Sequence, residues 1–261
     1  ETEILALFPG VVDDCFGLAI DMGTTTVAGY LCSLTTGKVV ATRSIMNPQV
    51  AFGEDVISRI TYAIEQTDGL DKLHETIREG LNGLISGISA DAGLKGDDLL
   101  DMTLVGNTAM HHLFLGIDPQ PLGCSPFAPA VHRSLDIKAR DLGMDIHPGA
   151  RVHILPIEAG FVGADNVAVL IAEEPYRRDE MTLIIDVGTN GEMILGNRNR
   201  LLCASCATGP ALEGAHIRFG MRAAPGAIER IRIDPATLEV SFKVIGLEDA
   251  PAGSAPIGAR G

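Results

Sequence analysis

Tryptophan is missing from this chain, and aromatic residues make up only 4% of its 261 residues. A core of ordinary size must then be filled with aliphatic side chains, and a hydrophobic content of 46% supplies them. Basic residues are also short: 20 Lys and Arg stand against 34 Asp and Glu, a formal net charge of −14. That balance argues against nucleic acid or an anionic membrane surface as the main partner. It leaves ATP open, because backbone N–H groups and Mg²⁺ can carry phosphate binding. Cysteine, at five residues, is too sparse for a disulfide framework. No apolar run is long enough to cross a bilayer, since the stretch around Ala168–Ala172 is interrupted by Asp165 and closed by Glu173 and Glu174. No secretory leader pattern is visible, and the expected location is cytoplasmic.

What the chain does have is glycine, 30 residues of it, and a motif that occurs twice. Gly17-Leu18-Ala19-Ile20-Asp21-Met22-Gly23-Thr24-Thr25-Thr26 aligns with Thr182-Leu183-Ile184-Ile185-Asp186-Val187-Gly188-Thr189-Asn190-Gly191. Asp21 falls on Asp186, Gly23 on Gly188 and Thr24 on Thr189. Each copy is an apolar strand, of a kind that can be buried on both faces, delivering an Asp into a tight turn. The carboxylate suits Mg²⁺ held through water. Glycine lets the backbone approach an anion closely and aim successive N–H groups at it. The Thr hydroxyls add donors. One such turn is an ordinary hairpin feature; two in matching strand context point to phosphate held by two lobes.

The remaining pattern agrees with a duplicated α/β architecture. Residues 1–15 read as a strand and turn of an upstream segment, and the lack of an initiating Met suggests a piece of a longer protein. Strands are expected at 17–21, 26–33 and 38–46, with Thr36-Gly37 turning the last hairpin. Helices follow at 53–67 and 70–89, the first with Val56, Ile57, Ile60 and Ile64 on one face. A strand at 102–106 leads into a helix over 108–115. Residues 117–150, rich in Pro and Gly, read as an irregular excursion. A strand at 152–155 and a helix over 160–173 close the first lobe, 16–176. The second, 177–261, restarts with strands at 182–186, 191–196 and 200–206. It continues with a hairpin of 228–233 and 238–245 around Asp234-Pro235, then an unfinished tail from 247.

The doubled Asp-x-Gly-Thr resembles the actin, Hsp70 and sugar-kinase superfamily, in which each ribonuclease-H-like lobe gives ATP·Mg²⁺ a phosphate loop. More narrowly, the chain resembles the ATPase domain of the ATP-dependent reductive activators of corrinoid proteins. The matching segments are Asp21–Thr26, Asn47-Pro48-Gln49, Asp55–Ile60, Val105–Thr108, Ala159–Asp165, Asp186–Glu192 and Gly220–Gly226. The resemblance implies ATP and Mg²⁺ as cofactors and a corrinoid protein of a methyltransferase system as partner. ATP would drive an electron from a 2Fe–2S cluster to Co(II) corrinoid, restoring Co(I). The cluster belongs to an N-terminal ferredoxin domain whose four-cysteine spacing this chain lacks. The chain also stops before the superfamily's adenosine-binding glycine segment, so the isolated fragment is expected to be inactive. A homodimer is compatible with this reading.

Candidate catalytic residues are Asp21, Asp186 and Glu158, with the two aspartates also holding Mg²⁺ through water. Gly23, Thr24, Thr25 and Thr26 form the first candidate phosphate loop; Gly188, Thr189, Asn190 and Gly191 form the second. Glu158 follows the first lobe's last strand and is a candidate water polariser; the alternative is a helix-start Glu favoured by the macrodipole. Asn107, with Thr108, is read either as a nucleotide contact or as an N-cap. Gly214-Ala215 and Gly220-Met221-Arg222 are expected to shape the surface near the partner.

Other motifs carry less. Thr36-Gly37-Lys38 mimics the end of a Walker A loop, but Cys32 stands where its first glycine belongs. Cys203 and Cys206 lie on one strand with side chains on opposite faces, poor geometry for a shared ligand set with no second pair. His111 and His112 diverge on a helix. No iron–sulfur cluster is therefore expected within this chain. Two other functions remain open: an activator of a 2-hydroxyacyl-CoA dehydratase, which iron content would reveal, and a docking module with a decayed nucleotide cleft.

Overall fold

The computed structural model describes residues 4–8, 10–188, 190–207 and 226–246. They fall into two compact units. The first holds the residues up to Ile184 together with Ile194–Ala204; the second holds Ile185–Met193 and the described residues from Ser205 onward. The protein is mixed α/β, as its sequence implies.

The first unit is built on a six-stranded sheet. It begins with β1 (Phe16–Met22), β2 (Thr26–Ser33) and β3 (Val39–Met46), joined by tight turns and paired antiparallel. Two helices follow, α1 (Val56–Glu65) and α2 (Gly69–Asp91), then β4 (Leu99–Gly106), α3 (Thr108–Phe114), β5 (Leu135–Lys138), β6 (Arg151–Ile154) and α4 (Ala164–Glu173). The spatial order is β3-β2-β1-β4-β6-β5. β1, β4 and β6 run parallel, so their carboxyl ends share one edge. β5 is antiparallel to β6 and comes from the excursion expected to be irregular. Its four residues alternate too briefly among prolines and glycines to stand out in the sequence.

The core lies between this sheet and α2. Leu73, Ile77, Leu81, Leu84, Ile85 and Ile88 of α2 are buried against Ile20, Val27, Leu31 and Leu104. The spacing of those α2 residues is the helical stripe that buries one face. Close approach requires Gly29: a Cβ there would lie 2.5 Å from Leu84 Cδ2. In α1 the buried stripe is Val56, Arg59 and Ile60, whereas Ile57 and Ile64 are exposed. The apolar face read from the sequence is thus rotated towards Arg59, which is drawn inward by the carbonyls described below. Residues 4–8 and 10–15 form no strand.

β7 (Thr182–Val187), β8 (Asn190–Asn197) and β9 (Arg200–Ala207) make a three-stranded sheet, and β10 (Ile228–Ile233) pairs with β11 (Val240–Val244). Asp234 turns that hairpin by accepting the N–H groups of Ala236 and Thr237. β7 differs from its counterpart β1. Leu183, Ile185 and Val187, on one face, stay 56%, 57% and 59% exposed. A sheet face is buried only by a second layer laid on it, and among the described residues none covers this one.

The short helix α3 is buried along its whole length. His112 is held from both sides: Nδ1–H donates to the Thr108 carbonyl, and Nε2 accepts the Ala130 N–H. That pairing needs a neutral ring, and burial holds its pKa below the usual value. His111 has no hydrogen-bond partner at either ring nitrogen among the described residues. Burial, with His112 adding to it, pushes His111 down to about 4.

A histidine whose folded pKa is depressed stabilises fully above its unfolded value and loses that stability as pH falls towards the folded one. For His111 the window runs from the ordinary histidine value of 6.5 down to about 4. We expect His111→Leu to raise stability at neutral pH by about 1–2 kcal/mol, by removing two unsatisfied buried groups. It should also shed an acid-side slope of up to about 1.4 kcal/mol per pH unit. Urea unfolding of the full-length protein at pH 7.5, 6 and 5 measures both.

Candidate functional site

The residues singled out in the first unit gather at one edge of the sheet because three parallel strands end there. Asp21 is the penultimate residue of β1, exposed, with Met22 and Gly106 of β4 side by side in the ladder. Gly23–Thr25 form the turn into β2, whose first residue is Thr26. Asn107 follows β4, and Glu158 comes four residues after β6 ends at Ile154. The crevice outside the carboxyl ends of parallel strands is where α/β sheets bind ligands.

The backbone of the turn is fixed from beneath. Asn47 Nδ2 donates to the Gly23 carbonyl at 2.8 Å, Arg59 Nη2 to the Thr24 carbonyl at 2.5 Å, and the Asn47 N–H to the Thr25 carbonyl at 2.8 Å. In a planar trans peptide the C=O and the following N–H point in opposite directions. Drawing these carbonyls inward therefore aims the N–H groups of Thr24, Thr25 and Thr26 the other way. That is the donor set of an anion-binding nest.

The pinning residues are themselves held. Asn47 is fully buried, and its Oδ1 accepts the Gln49 N–H at 2.9 Å. Gln49, also buried, donates to the Leu73 carbonyl on α2. Arg59 is buried and donates through Nε to the Gly53 carbonyl at 2.9 Å and through Nη1 to Met110 Sδ and, more loosely, to Gln49 Oε1. Every one of these acceptors is neutral, and among the described residues no carboxylate lies within ion-pair distance of Arg59. Burial pushes its pKa down to about 10, opposed by the charge of Asp55. It still carries its charge at pH 7.

Asn107 takes the N-cap role of the two considered for it. Its Oδ1 accepts the Met110 N–H at 3.0 Å, capping α3. Its Nδ2 donates to Thr24 Oγ1 at 2.8 Å, tying the cap to the turn. Thr24 is buried, and its hydroxyl, already an acceptor, keeps its proton to donate. Thr108 Oγ1 donates to the Ala159 carbonyl at 2.7 Å, which draws the segment around Glu158 to the same edge. Gly163 lets that segment pack closely, since a Cβ there would lie 2.5 Å from the Asn107 Cα.

Glu158 is exposed and does not begin a helix. Ala159 and Val162 close a tight turn, and α4 starts only at Ala164. The macrodipole explanation therefore does not apply to it. Cys203 lies within its influence: burial raises the thiol pKa, and the Glu158 charge adds to it. All five cysteines are free thiols.

In the second unit, Asp186 is exposed near the end of β7, Gly188 and Asn190 are half-buried, and Gly191 is buried. The Gly188 N–H donates to the Asn190 carbonyl at 2.9 Å, closing the turn. Thr189, Gly214, Ala215, Gly220, Met221 and Arg222 lie outside the described residues. Glu192 received no role from the sequence. Burial raises its pKa and Asp186 raises it further, while a hydrogen bond from Ser205 at 3.1 Å opposes them. Asn47 and Arg59 were also missed as part of the site. The available signal was an Arg inside the apolar stripe of α1 and an Asn-Pro directly after β3.

Comparison with known proteins places the chain. A family model described as the RACo middle region matches residues 16–178, and one described as the C-terminal domain of RACo, the ASKHA domain, matches residues 180–259. The corrinoid activation enzyme RamQ of Eubacterium limosum is 41% identical over 91% of this chain and 39% of its own length. A Co(II) methylated amine-specific corrinoid protein reductase of Methanosarcina barkeri is 28% identical over 82% of this chain and 40% of its own. A solved structure titled as a reductive activator for corrinoid, iron-sulfur protein superposes with a TM-score of 0.82 at 41% identity, covering 91% of this chain and 38% of that one. The chain thus spans about two fifths of the length of the curated relatives it matches. The actin-like ATPase fold read from the doubled motif is the fold of this group. The chain belongs to the RACo family, matching its middle region and its C-terminal ASKHA domain.

Proposed function

We propose that this chain is the ATP-binding and hydrolysing part of a cytoplasmic reductive activator, whose nucleotide cycle drives an electron onto a Co(II) corrinoid protein and regenerates Co(I). The observation that carries the reading is the Gly23–Thr25 turn. Its carbonyls are drawn inward by Asn47 and Arg59, so its N–H groups face outward beside Asp21, Asn107 and Glu158. The names of the relatives supply the corrinoid partner.

The residues present suit Mg·ATP. Outward N–H groups and Thr hydroxyls are phosphate donors, and an exposed Asp at a strand end suits a hydrated magnesium ion. When bound, Mg·ATP supplies a hydrolysable phosphoanhydride and, through it, free energy for an uphill electron transfer. For a one-electron step about 59 mV corresponds to a tenfold change in equilibrium constant. In this reading Asp21 orients a hydrated ion and Gly23–Thr26 hold phosphate oxygens, and Asp186 with the turn that follows β7 offers the same chemistry in the second unit. Asn107 keeps Thr24 in place. Glu158, exposed and free of helix constraints, accepts a proton from the attacking water or orients it. The nucleotide can drive reduction only by favouring one state of the complex with the partner over another. The electron donor, a 2Fe–2S cluster, lies in this reading outside the chain.

Two outcomes test the assignment in a full-length protein. Asp186→Ala should abolish ATP-dependent appearance of the Co(I) absorption bands while circular dichroism stays native; near-normal activation by that variant would refute the role. Asn107→Ala should cost about 1 kcal/mol of stability through the lost cap. By freeing Thr24 it should also raise KM for ATP several-fold, about 0.5–1.5 kcal/mol of binding. Steady-state hydrolysis paired with urea unfolding separates the two effects.

A further inference from the structure

Arg59 is a buried cation with no carboxylate in ion-pair contact among the described residues; Asp55, the N-cap of α1, acts on it only at longer range. Its guanidinium meets the Gly53 and Thr24 carbonyls, Gln49 Oε1 and Met110 Sδ, all neutral. Removing a charge from water without an opposite charge nearby is unfavourable, and a Met or Leu on the α1 stripe would pack there without that penalty. The charge is also not placed at random. It lies directly behind the Thr24 peptide, on the side opposite the outward N–H of Thr25.

We propose that Arg59 is a positioning residue for polyphosphate: it turns the Thr24 peptide so that its N–H faces the ligand, and it sets a fixed positive charge behind the loop. This rests on the reading of Gly23–Thr26 as a phosphate loop. Two features of the fold fit it. A cation held in a low-dielectric interior interacts more strongly with a charge across the loop than a solvated lysine would. And because its acceptors are rigid backbone and fully buried side chains, it needs no rearrangement when the ligand arrives. The ligand class that exploits such a charge is a nucleoside di- or triphosphate rather than a monophosphate, since the gain grows with the number of anionic phosphates at the loop.

The test is calorimetry on the full-length protein with Mg·ATP, Mg·ADP and AMP, for wild type, Arg59→Met and Arg59→Lys. Arg59→Met should weaken ATP binding by about tenfold or more, the scale of one charge-assisted hydrogen bond. The loss should be smaller for ADP and within about twofold for AMP, even though some thermal stability is lost because the Gly53 and Thr24 carbonyls lose their donor. Arg59→Lys, which keeps the charge but not the fork of donors, should restore part of the ATP affinity. A merely structural arginine predicts otherwise: equal losses for all three nucleotides in step with lost stability. That outcome overturns the proposal, as does Arg59→Met binding all three within about twofold of wild type. If Arg59→Met does not fold, the ratio of ATP to AMP affinity in Arg59→Lys decides: a reduced ratio supports the role and an unchanged one overturns it. Wild-type protein with no affinity for Mg·ATP would overturn the phosphate-loop reading itself, and this one with it.

Discussion

The direction of three peptide carbonyls organises the first unit of this protein. A tight turn between two antiparallel strands normally leaves its carbonyls and N–H groups to water. Here Gly23, Thr24 and Thr25 have theirs drawn into the interior by Asn47 and Arg59. A buried backbone acceptor must be satisfied, so the turn is committed to one conformation by residues that are distant in sequence and come from two separate segments. Asn47 precedes a short turn after β3, and Arg59 sits on α1. Loop, strand and helix are thus interlocked through buried polar groups, and the outward N–H face follows from the inward carbonyls.

The same logic extends sideways through Asn107. Parallel β1 and β4 end together, so the residue after β4 is placed beside the turn after β1. An Asn there can cap α3 with its carbonyl oxygen and hold the Thr24 hydroxyl with its amide nitrogen. Thr108 then reaches the turn after β6. Three strand ends become one surface by a relay of short hydrogen bonds. Parallel α/β sheets in general bind ligands at their carboxyl edge; in this protein that edge is tied together by these hydrogen bonds.

Much of this was legible in the sequence. The alternation in residues 16–46 yields β1 to β3 within a residue or so, and the stripe of α2 is plain because Leu73 to Ile88 recur at helical spacing. The hairpin at Asp234-Pro235 is marked by its own turn chemistry. Less visible were features decided by tertiary contact. Arg59 reads as an exposed helix charge until its carbonyl partners are known, and the same partners rotate α1 away from Ile57 and Ile64. β5 is too short to announce itself. The start of α4 moves to Ala164 because the Ala159–Val162 turn precedes it. In the second unit the motif read correctly as strand and turn, but its apolar run did not predict burial, since cover depends on other segments. Glu192 closes a matched segment but carries no role in the sequence reading, because a single carboxylate one residue past a glycine turn looks like an ordinary surface position.

Amide hydrogen exchange of the full-length protein with and without a non-hydrolysable Mg·ATP analogue tests the central claim most directly. If the outward N–H groups of the Gly23–Thr25 turn hold phosphate and the turn after β7 does the same, peptides covering residues 21–26 and 186–192 should gain protection on binding, and Asn107 should change with them. Nucleotide binding that leaves both motif segments at their unliganded exchange rates would contradict the account.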